Sequence, residues 1–225
     1  MSRSQRITLA SLEFIPDLSG GLYVPDFKAL LIADLHLEKG TSLARRGVHL
    51  PPYDTRESLL QLVSVIAATK PQRLIFLGDS FHDGEARERI DQGDLAQLRS
   101  ITLETETIWI SGNHDPQPPE DIGGTIATEI ALGPVTLRHE PQKLAAGDYE
   151  IAGHLHPAAA VEARGLRIRR RCFIAGSRRM IMPAFGSYTG ALSVRSPAYD
   201  GLFDHFHVWM IGAKAIHLFP DSKVR

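Results

Sequence analysis

Short apolar runs of strand length recur along this chain, and most are followed at once by polar side chains capable of chemistry. The runs occupy residues 28–33, 73–77, 107–110, 135–137 and 150–152. Their length and composition predict buried strands. Loops that follow the strands of an α/β sheet converge beyond its carboxyl edge, where ligands bind. The pattern therefore predicts an α/β fold whose functional site lies at that edge.

Helices are expected between these strands, as the alternation of an α/β fold requires. Residues 55–69 carry apolar side chains at helical spacing, and Asp54 with Glu57 three residues later resembles a capping box. A second, less regular helix is expected within residues 85–103. Strand and helix thus alternate over the first half of the chain.

The chain becomes strand-rich after Gly153. A hairpin is expected about Arg164-Gly165, with closing strands at residues 206–211 and 215–219. No linker, repeat or low-complexity tract divides the 225 residues, so a single domain spanning residues 1–225 is expected. Two sheets packed face to face, with helices outside, accommodate all of these elements.

The composition argues against several classes of protein. Lys and Arg total 25 against 26 Asp and Glu, which disfavours binding of nucleic acid through overall charge but leaves local basic patches open. The single cysteine, Cys172, excludes an internal disulfide framework and a thiolate metal cluster, and it fits a reducing cytoplasmic setting. No signal-peptide run and no apolar stretch of about 18 residues is present, so secretion and membrane spanning are disfavoured.

The polar residues that follow the five runs predict a metal site. They are Asp34-Leu35-His36, Gly78-Asp79, Gly112-Asn113-His114-Asp115, His139 and Gly153-His154-Leu155-His156. Imidazole, carboxylate and amide ligands suit manganese, iron, zinc or cobalt, with magnesium a further candidate and manganese the leading one. The ligand candidates are too many for one ion, but they suit two ions that share a bridging carboxylate.

The order of these motifs resembles that of the calcineurin-like metallophosphoesterases over roughly residues 34–157. The resemblance implies an α/β four-layer sandwich, with two mixed β-sheets flanked by helices. It also implies the ligands: Asp34, His36 and His156 for one metal ion, Asn113, His139 and His154 for a second, and Asp79 as the bridge. His114 is implied as a proton donor or phosphate contact, and Asp115 as the residue that orients it.

Four segments resemble, more narrowly, the ligase-associated DNA-damage-response endonucleases of the PdeM type. They are DLHLEKG at residues 34–40, ARRG at 44–47, LPPYDT at 50–55 and GDSFHDG at 78–84. This resemblance implies DNA as the substrate and a repair ligase or helicase as a partner. One departure is His82, since many relatives carry Asp three residues after the bridging Asp, whereas here Asp83 comes one position later.

The expected reaction is hydrolysis of a phosphodiester by a hydroxide that two metal ions activate. Because Asp34 and Asp79 neutralise half of the ionic charge, about +2 remains to attract the ester and stabilise its transition state. Two alternatives stay open: hydrolysis of a small phosphodiester, nucleotide pyrophosphate or phosphomonoester by the same ions, and a catalytically inactive scaffold of this fold. The scaffold is disfavoured because every ligand position holds a competent residue.

Other polar residues have weaker support. Arg45 and Arg46 follow the first motif and are candidates for flanking a bound phosphate strand, and His82 is a candidate for facing the substrate. A basic region comprises Arg167, Arg169, Arg170, Arg171, Arg178 and Arg179. Two interpretations stay open: these residues contact a nucleic-acid backbone, or they lie on a hairpin exposed to solvent. We interpret the following residues as loop or structural residues: Glu38, Lys39, His49, His205, His207 and His217.

Overall fold

Two mixed sheets packed face to face form the centre of the protein, whose computed structural model describes residues 6–117, 120–163 and 165–225. The first sheet contains, in spatial order, β1 (Ile7–Leu9), β2 (Leu12–Pro16), β3 (Leu22–Val24), β4 (Ala29–Ile32), β5 (Arg73–Leu77), β6 (Glu106–Ile110) and β7 (Thr125–Ala127). Strands β1 to β4 pair antiparallel, whereas β4 to β7 pair parallel. The parallel half therefore directs several strand ends toward one edge.

The second sheet runs in the spatial order β14-β11-β12-β13-β10-β9-β8, and β15 joins it by pairing with β12 and β16. Its strands are β8 (Glu129–Leu132), β9 (Val135–Arg138), β10 (Tyr149–Ala152), β11 (Pro157–Ala163), β12 (Leu166–Ala175), β13 (Arg179–Ile181), β14 (Leu192–Ser193), β15 (His207–Ile211) and β16 (Ile216–Pro220). The first half of β12 pairs with β11 and its second half with β13 and β15. Strand β12 thus extends from the core into a projecting hairpin.

Helices cover the outer face of the first sheet. They are α1 (Lys39–Arg45), α2 (Asp54–Thr69), α3 (Ala86–Arg89) and α4 (Gln92–Glu104). Leu59 and Leu62 of α2 and Leu98 of α4 pack with strand residues in one buried cluster. In that cluster the Trp109 ring stacks on Phe76 with centroids 4.1 Å apart, a geometry worth about 0.5–1.5 kcal/mol beyond area burial.

The fold predicted from the sequence is confirmed: two mixed sheets are flanked by helices, and each predicted strand is present within a residue or two. The second predicted helix is divided into α3 and α4. The hairpin is formed by β11 and β12, although Arg164 lies outside the described residues. The single-domain interpretation of residues 1–225 stays a prediction. None of the described helices has the length and apolar character needed to cross a membrane.

The predicted capping box at the start of α2 is wrong. The residue before the helix is Tyr53, no side chain caps it, and the Asp54 carboxylate instead accepts a hydrogen bond from the Gly40 backbone at 2.8 Å. Thr55 likewise bonds to Glu38, which is buried rather than part of a solvated loop. These contacts attach α1 and the segment after the first motif to α2.

Candidate metal centre

Five strand ends bring the sequence motifs to one edge of the paired sheets. Strands β4, β5 and β6 are parallel neighbours in the first sheet, and β9 and β10 are parallel neighbours in the second. Backbone hydrogen bonds continue between the segments that follow these strands. The His36 N–H donates to the Asp79 carbonyl, and the Gly153 N–H donates to the His139 carbonyl. The Asp34 carboxylate joins the two sheets by accepting the His154 N–H at 2.9 Å. These backbone hydrogen bonds therefore hold the motifs next to one another.

One group of side chains, the first cluster, consists of Asp34, His36 and His156. The Nε2 atom of His156 lies 3.3 Å from Asp34 Oδ1 and 3.4 Å from His36 Nε2. Asp34 and His36 are almost completely buried. Burial also lowers the pKa of His36 far below its ordinary value, which favours the neutral imidazole that a metal ion requires.

A second group, the second cluster, consists of Asn113, His139 and His154. The Asn113 Oδ1 atom lies 2.9 Å from His139 Nε2 and 3.0 Å from His154 Nδ1, and these two nitrogens are 3.2 Å apart. The other nitrogen of His139 lies 3.0 Å from the Leu77 carbonyl, a typical outer contact of a ligating histidine. This cluster is more open, since the His154 side chain is 34% exposed.

Asp79 lies between the two clusters. Its Oδ2 atom is 3.7 Å from His36 Nε2, and its Oδ1 atom is 3.4 Å from His139 Nε2. Each carboxylate oxygen therefore faces one cluster, the arrangement expected of a bridging ligand. The structure brings all seven predicted ligands together, and their roles as ligands stay predictions.

The donor set fits divalent ions. Within each cluster, imidazole nitrogens lie 3.2–3.4 Å from one another and close to a carboxylate or amide oxygen. Such a mixture of nitrogen and oxygen donors suits manganese, iron, zinc or cobalt, and the geometry leaves the choice among them open. The two clusters, with Asp79 between them, could hold one ion each.

Several ligands adopt left-handed backbone conformations that side chains normally avoid. The φ angles are 53° at Asp34, 45° at His36, 48° at Asp79, 66° at His154 and 44° at His156. Each such residue costs on the order of 1 kcal/mol or more and persists only where surrounding contacts enforce it. The concentration of this strain at five of the predicted ligand positions supports the interpretation of this edge as a functional site.

Gly186 is a part of the site that sequence reasoning missed. Its N–H bonds to the Asp34 carbonyl, and a Cβ at this position would lie 1.9 Å from the Leu35 carbonyl oxygen. Only glycine permits this close approach of the segment containing residues 184–191 to the first motif. No ligand-type residue marks Gly186 in the sequence, so only the tertiary contact identifies it.

His114 and His82 lie beside the first cluster as a pair of rings. Their centroids are 5.1 Å apart, and His114 Nδ1 donates to the His82 carbonyl at 2.8 Å. This bond leaves His114 Nε2 toward Asp79, with 4.0 Å to Oδ2, and the side chain is 41% exposed. The His114 position suits contact with a bound phosphate.

His82 does not have the open position expected of a substrate-facing residue. It is 8% exposed, and its Nδ1 lies 3.5 Å from Nδ1 of His36. Burial lowers the pKa of His82 to about 4. His82 therefore supports the His36 ring from behind the metal cluster.

Asp115 does not contact His114 as the resemblance implied. Its carboxylate accepts backbone hydrogen bonds from Ser80 at 2.8 Å, Phe81 at 3.0 Å and Gly112 at 3.2 Å. Burial raises the pKa of Asp115 to about 7, against the opposing effect of these donors. Asp115 therefore ties the segment after β5 to the segment after β6, and the His82 carbonyl orients His114.

The cationic residues near the first motif occupy different environments. Arg45 pairs with Glu85 at the surface, whereas Arg46 is exposed at the end of α1 and lies close enough to His82 for its charge to lower that pKa. Lys39 is half-buried, and burial lowers its pKa while Asp79 and Asp34 act in the opposite direction. Lys39, interpreted from the sequence as a loop residue, therefore lies close enough to Asp79 and Asp34 for their charges to raise its pKa.

The remaining histidines lie outside the clusters. His205 is 93% exposed and precedes β15 rather than lying within it, whereas His207 begins that strand. His217 pairs in register with Met210 across β15 and β16. These positions agree with a structural interpretation of both strand histidines.

Comparison with known structures gives a match over nearly the full length. The crystal structure of the Pseudomonas putida nuclease MPE has 28% sequence identity and a TM-score of 0.74, covering 96% of this chain and 98% of that one. A phosphoesterase from E. coli, Yfce, matches with 12% identity and a TM-score of 0.44, over 85% of this chain and 97% of that one. A comparison with curated proteins finds no significant match.

The family comparison covers the region that carries most of the ligands. The family model described as calcineurin-like phosphoesterase matches residues 27–144, which is more than half of the chain. Its span begins before β4 and ends after His139, so it includes four of the five motif positions. With two sheets, two ligand clusters and a carboxylate between them, this chain belongs to the calcineurin-like phosphoesterase family.

Proposed function

We propose that this protein is a metal-dependent phosphodiesterase that cleaves DNA. The observation that carries the proposal is the position of Asp79, whose two carboxylate oxygens face two separate ligand clusters. Two divalent ions held there would act as Lewis acids on a phosphate ester. The predicted ligands of the second cluster include no carboxylate besides the shared Asp79, although Glu140 Oε1 lies 3.8 Å from His154 Nδ1. Two divalent ions would outweigh these carboxylates and leave a positive charge that attracts a phosphodiester.

The residues of the chain supply orientation and a proton. His114 Nδ1 is held by the His82 carbonyl, so that Nε2 is directed toward the edge of the metal centre. A proton on Nε2 can pass to the leaving oxygen of the ester, or it can bond to a phosphoryl oxygen. Asp115 supports this arrangement through the backbone on which Asp79 and His114 lie.

The openness of the centre supports a polymeric substrate. One side is bordered by Asn113, His139 and Glu140, and the other by His154, His156 and Gly190. His114 and His154 are partly exposed at this edge, so a strand can cross it without entering an enclosed pocket. The similarity to a nuclease over nearly the whole chain and the PdeM-type segments in the sequence also support DNA.

The proposal is tested with end-labelled single-stranded and double-stranded oligonucleotides and manganese, compared with chelator-treated protein. We expect internal cleavage that depends on metal. Asp79→Asn removes the bridge and is expected to lower kcat/KM by at least ~10³-fold, more than the loss of one transition-state hydrogen bond. Hydrolysis of bis-aryl and mono-aryl phosphates is measured beside it. Hydrolysis of the small esters with no cleavage of any oligonucleotide would replace DNA by a small phosphate ester as the substrate.

The His114→Ala variant tests the role of the proton donor. Since His114 belongs to neither cluster, the variant is expected to retain both ions while kcat falls by about 10²–10⁴-fold. Metal content is measured by atomic emission after gel filtration, and kcat with the same oligonucleotide. Activity within twofold of the original protein would remove His114 from the reaction. A role in repair, a ligase or helicase partner and a cytoplasmic location stay predictions.

A further inference from the structure

The first half of β12 carries an unusual set of arginines. Arg167, Arg169 and Arg170 are exposed and Arg171 is half-buried, and none of them has a carboxylate at ion-pair distance among the described residues. Several other surface arginines are paired, as Arg45 is with Glu85, whereas Arg46 and Arg178 are exposed single residues without an ion pair among the described residues. A protein with net charge −1 therefore keeps a local concentration of unpaired positive charge on one strand.

The strand pleat separates these arginines into two faces. Arg170 lies on the same face as Ile168 and Cys172, which pack in a core cluster on the outer side of the second sheet. Arg167, Arg169 and Arg171 alternate with them and lie on the opposite face. We call these three the basic row; its members follow one another at about 6.6 Å, the spacing of alternate residues in a strand.

The basic row adjoins the metal centre through one segment of chain. Arg171 donates to the Ala184 carbonyl at 2.9 Å, and Arg169 donates to the Ala191 carbonyl. The same segment contacts the first cluster from its other side, because Gly186 bonds to Asp34 and the Gly190 carbonyl lies 3.2 Å from His156 Nδ1. The basic row is therefore connected to the first cluster through residues 184–191, with Arg171 nearest the core and Arg167 nearest the hairpin turn.

The members of the basic row differ in how many of their guanidinium donors are already bonded to protein carbonyls. Arg171 also contacts the Phe185 and Leu18 carbonyls, so its donors are used in holding the chain beside the first cluster. Arg169 uses only one nitrogen on Ala191, and Arg167 makes no ion pair with the described residues. The carboxylate opposite Arg167, Glu162, is instead bound by Arg225. Donors of Arg169 and Arg167 thus remain for an external anion.

We propose that Arg167 and Arg169 bind the sugar-phosphate backbone of the nucleic-acid strand whose scissile phosphate occupies the metal centre. This inference rests on the proposed function and names the path of the strand beyond the cleaved bond. Alternate arginines along a strand match successive phosphates of an extended chain, and guanidinium groups bind phosphate oxygens in pairs. The contact is to backbone and carries no base specificity.

The test compares three variants in single-strand cleavage as a function of NaCl concentration. Each phosphate contact contributes about 0.7 to the slope of log(kcat/KM) against log[salt], so Arg167→Gln with Arg169→Gln is expected to reduce the slope by roughly 1.4. The double variant is also expected to raise KM on the order of tenfold at moderate salt. Arg167→Gln alone, which breaks no contact with the segment beside His156, is expected to show about half of the change in slope.

Arg170→Gln is the matched control, because it removes the same charge from the adjacent exposed residue on the opposite face. It is expected to leave the slope unchanged. A slope in the double variant equal to that of the original protein, or an equal reduction in Arg170→Gln, overturns the inference. Bis-aryl phosphate has no further phosphates, so its hydrolysis is expected to change less than twofold in Arg167→Gln, whose side chain makes no contact with the segment beside His156 among the described residues. A larger loss in that variant overturns the inference by showing damage to the metal centre. Failure of the original protein to cleave any oligonucleotide would refute the proposed function itself.

Discussion

The two halves of the metal centre differ in charge and in exposure. The first cluster contains its own carboxylate, Asp34, and its His36 side chain is 2% exposed. The second cluster is built from an amide and two imidazoles, and its His154 side chain is 34% exposed. Both share Asp79. The difference predicts that the buried half would bind a divalent ion more tightly than the open half, and that the open half would be the side that meets the substrate.

Replacement of Asp34, the carboxylate of the buried half, should have the largest effect on the difference in manganese affinity between the two clusters. Asp34→Asn keeps the shape of the side chain but removes the negative charge that distinguishes the first cluster. We expect manganese affinity at that cluster to fall by ~10²-fold or more, because ligand charge is a main determinant of affinity for divalent ions. Isothermal titration calorimetry measures the change, and thermal unfolding of the metal-free protein checks that the variant is folded. Unchanged affinity in the tighter step would contradict the assignment of Asp34.

The original protein should itself bind manganese in two unequal steps. The predicted ligands of the first cluster include two carboxylates, one its own and one shared, whereas those of the second include the shared one alone, and the Glu140 carboxylate near His154 is exposed. The first cluster is therefore expected to bind at least about tenfold more tightly, a difference of about 1.4 kcal/mol. Stepwise addition to chelator-treated protein, followed by calorimetry and by metal analysis after gel filtration, separates the steps. Two equal steps would show that charge and burial do not distinguish the halves.

A smaller and more selective effect is expected from His82→Ala. His82 supports His36 from behind the first cluster, and loss of such an outer contact typically weakens metal binding by about 10-fold to 100-fold. Because this contact is long, at 3.5 Å, we expect the lower end of that range. The bond to His114 comes from the backbone carbonyl of residue 82 and survives the substitution. Equal weakening of both binding steps would mean that His82 acts on the whole edge rather than on the first cluster.

The ligands were accessible from the sequence because each follows a strand whose apolar character is visible locally. His139 is an example: a four-residue strand, Val135–Arg138, ends directly before it. Position along the chain predicted that the motifs lie at the carboxyl ends of strands, and the resemblance to calcineurin-like phosphoesterases supplied the grouping of motifs from two sheets into one site. The same reasoning predicted the paired sheets and the main helix.

The parts that sequence reasoning missed depend on contacts between distant segments. Asp54 has the chemistry of a helix cap but bonds to Gly40, and Asp115 has the chemistry of a partner for His114 but bonds to backbone beside Asp79. Gly186 is required only because the backbone of Leu35, distant in the sequence, passes within contact distance. Residue type alone does not indicate which of several satisfactory hydrogen-bond partners the fold will place nearby.

Strand β12 is ten residues long and continuous, so the register of its pairing in the core determines which face of the hairpin the basic row occupies. Its second half is paired on both sides within the core, so Arg167 and Arg169 project from a rigid extension rather than from a flexible tail. An extra residue at the hairpin turn would leave the faces unchanged. The same insertion between Arg171 and Cys172 would turn the arginines toward the apolar side and bring Ile168 and Arg170 to the opposite face. Changes in length at this hairpin are therefore tolerable at its tip and disruptive at its base.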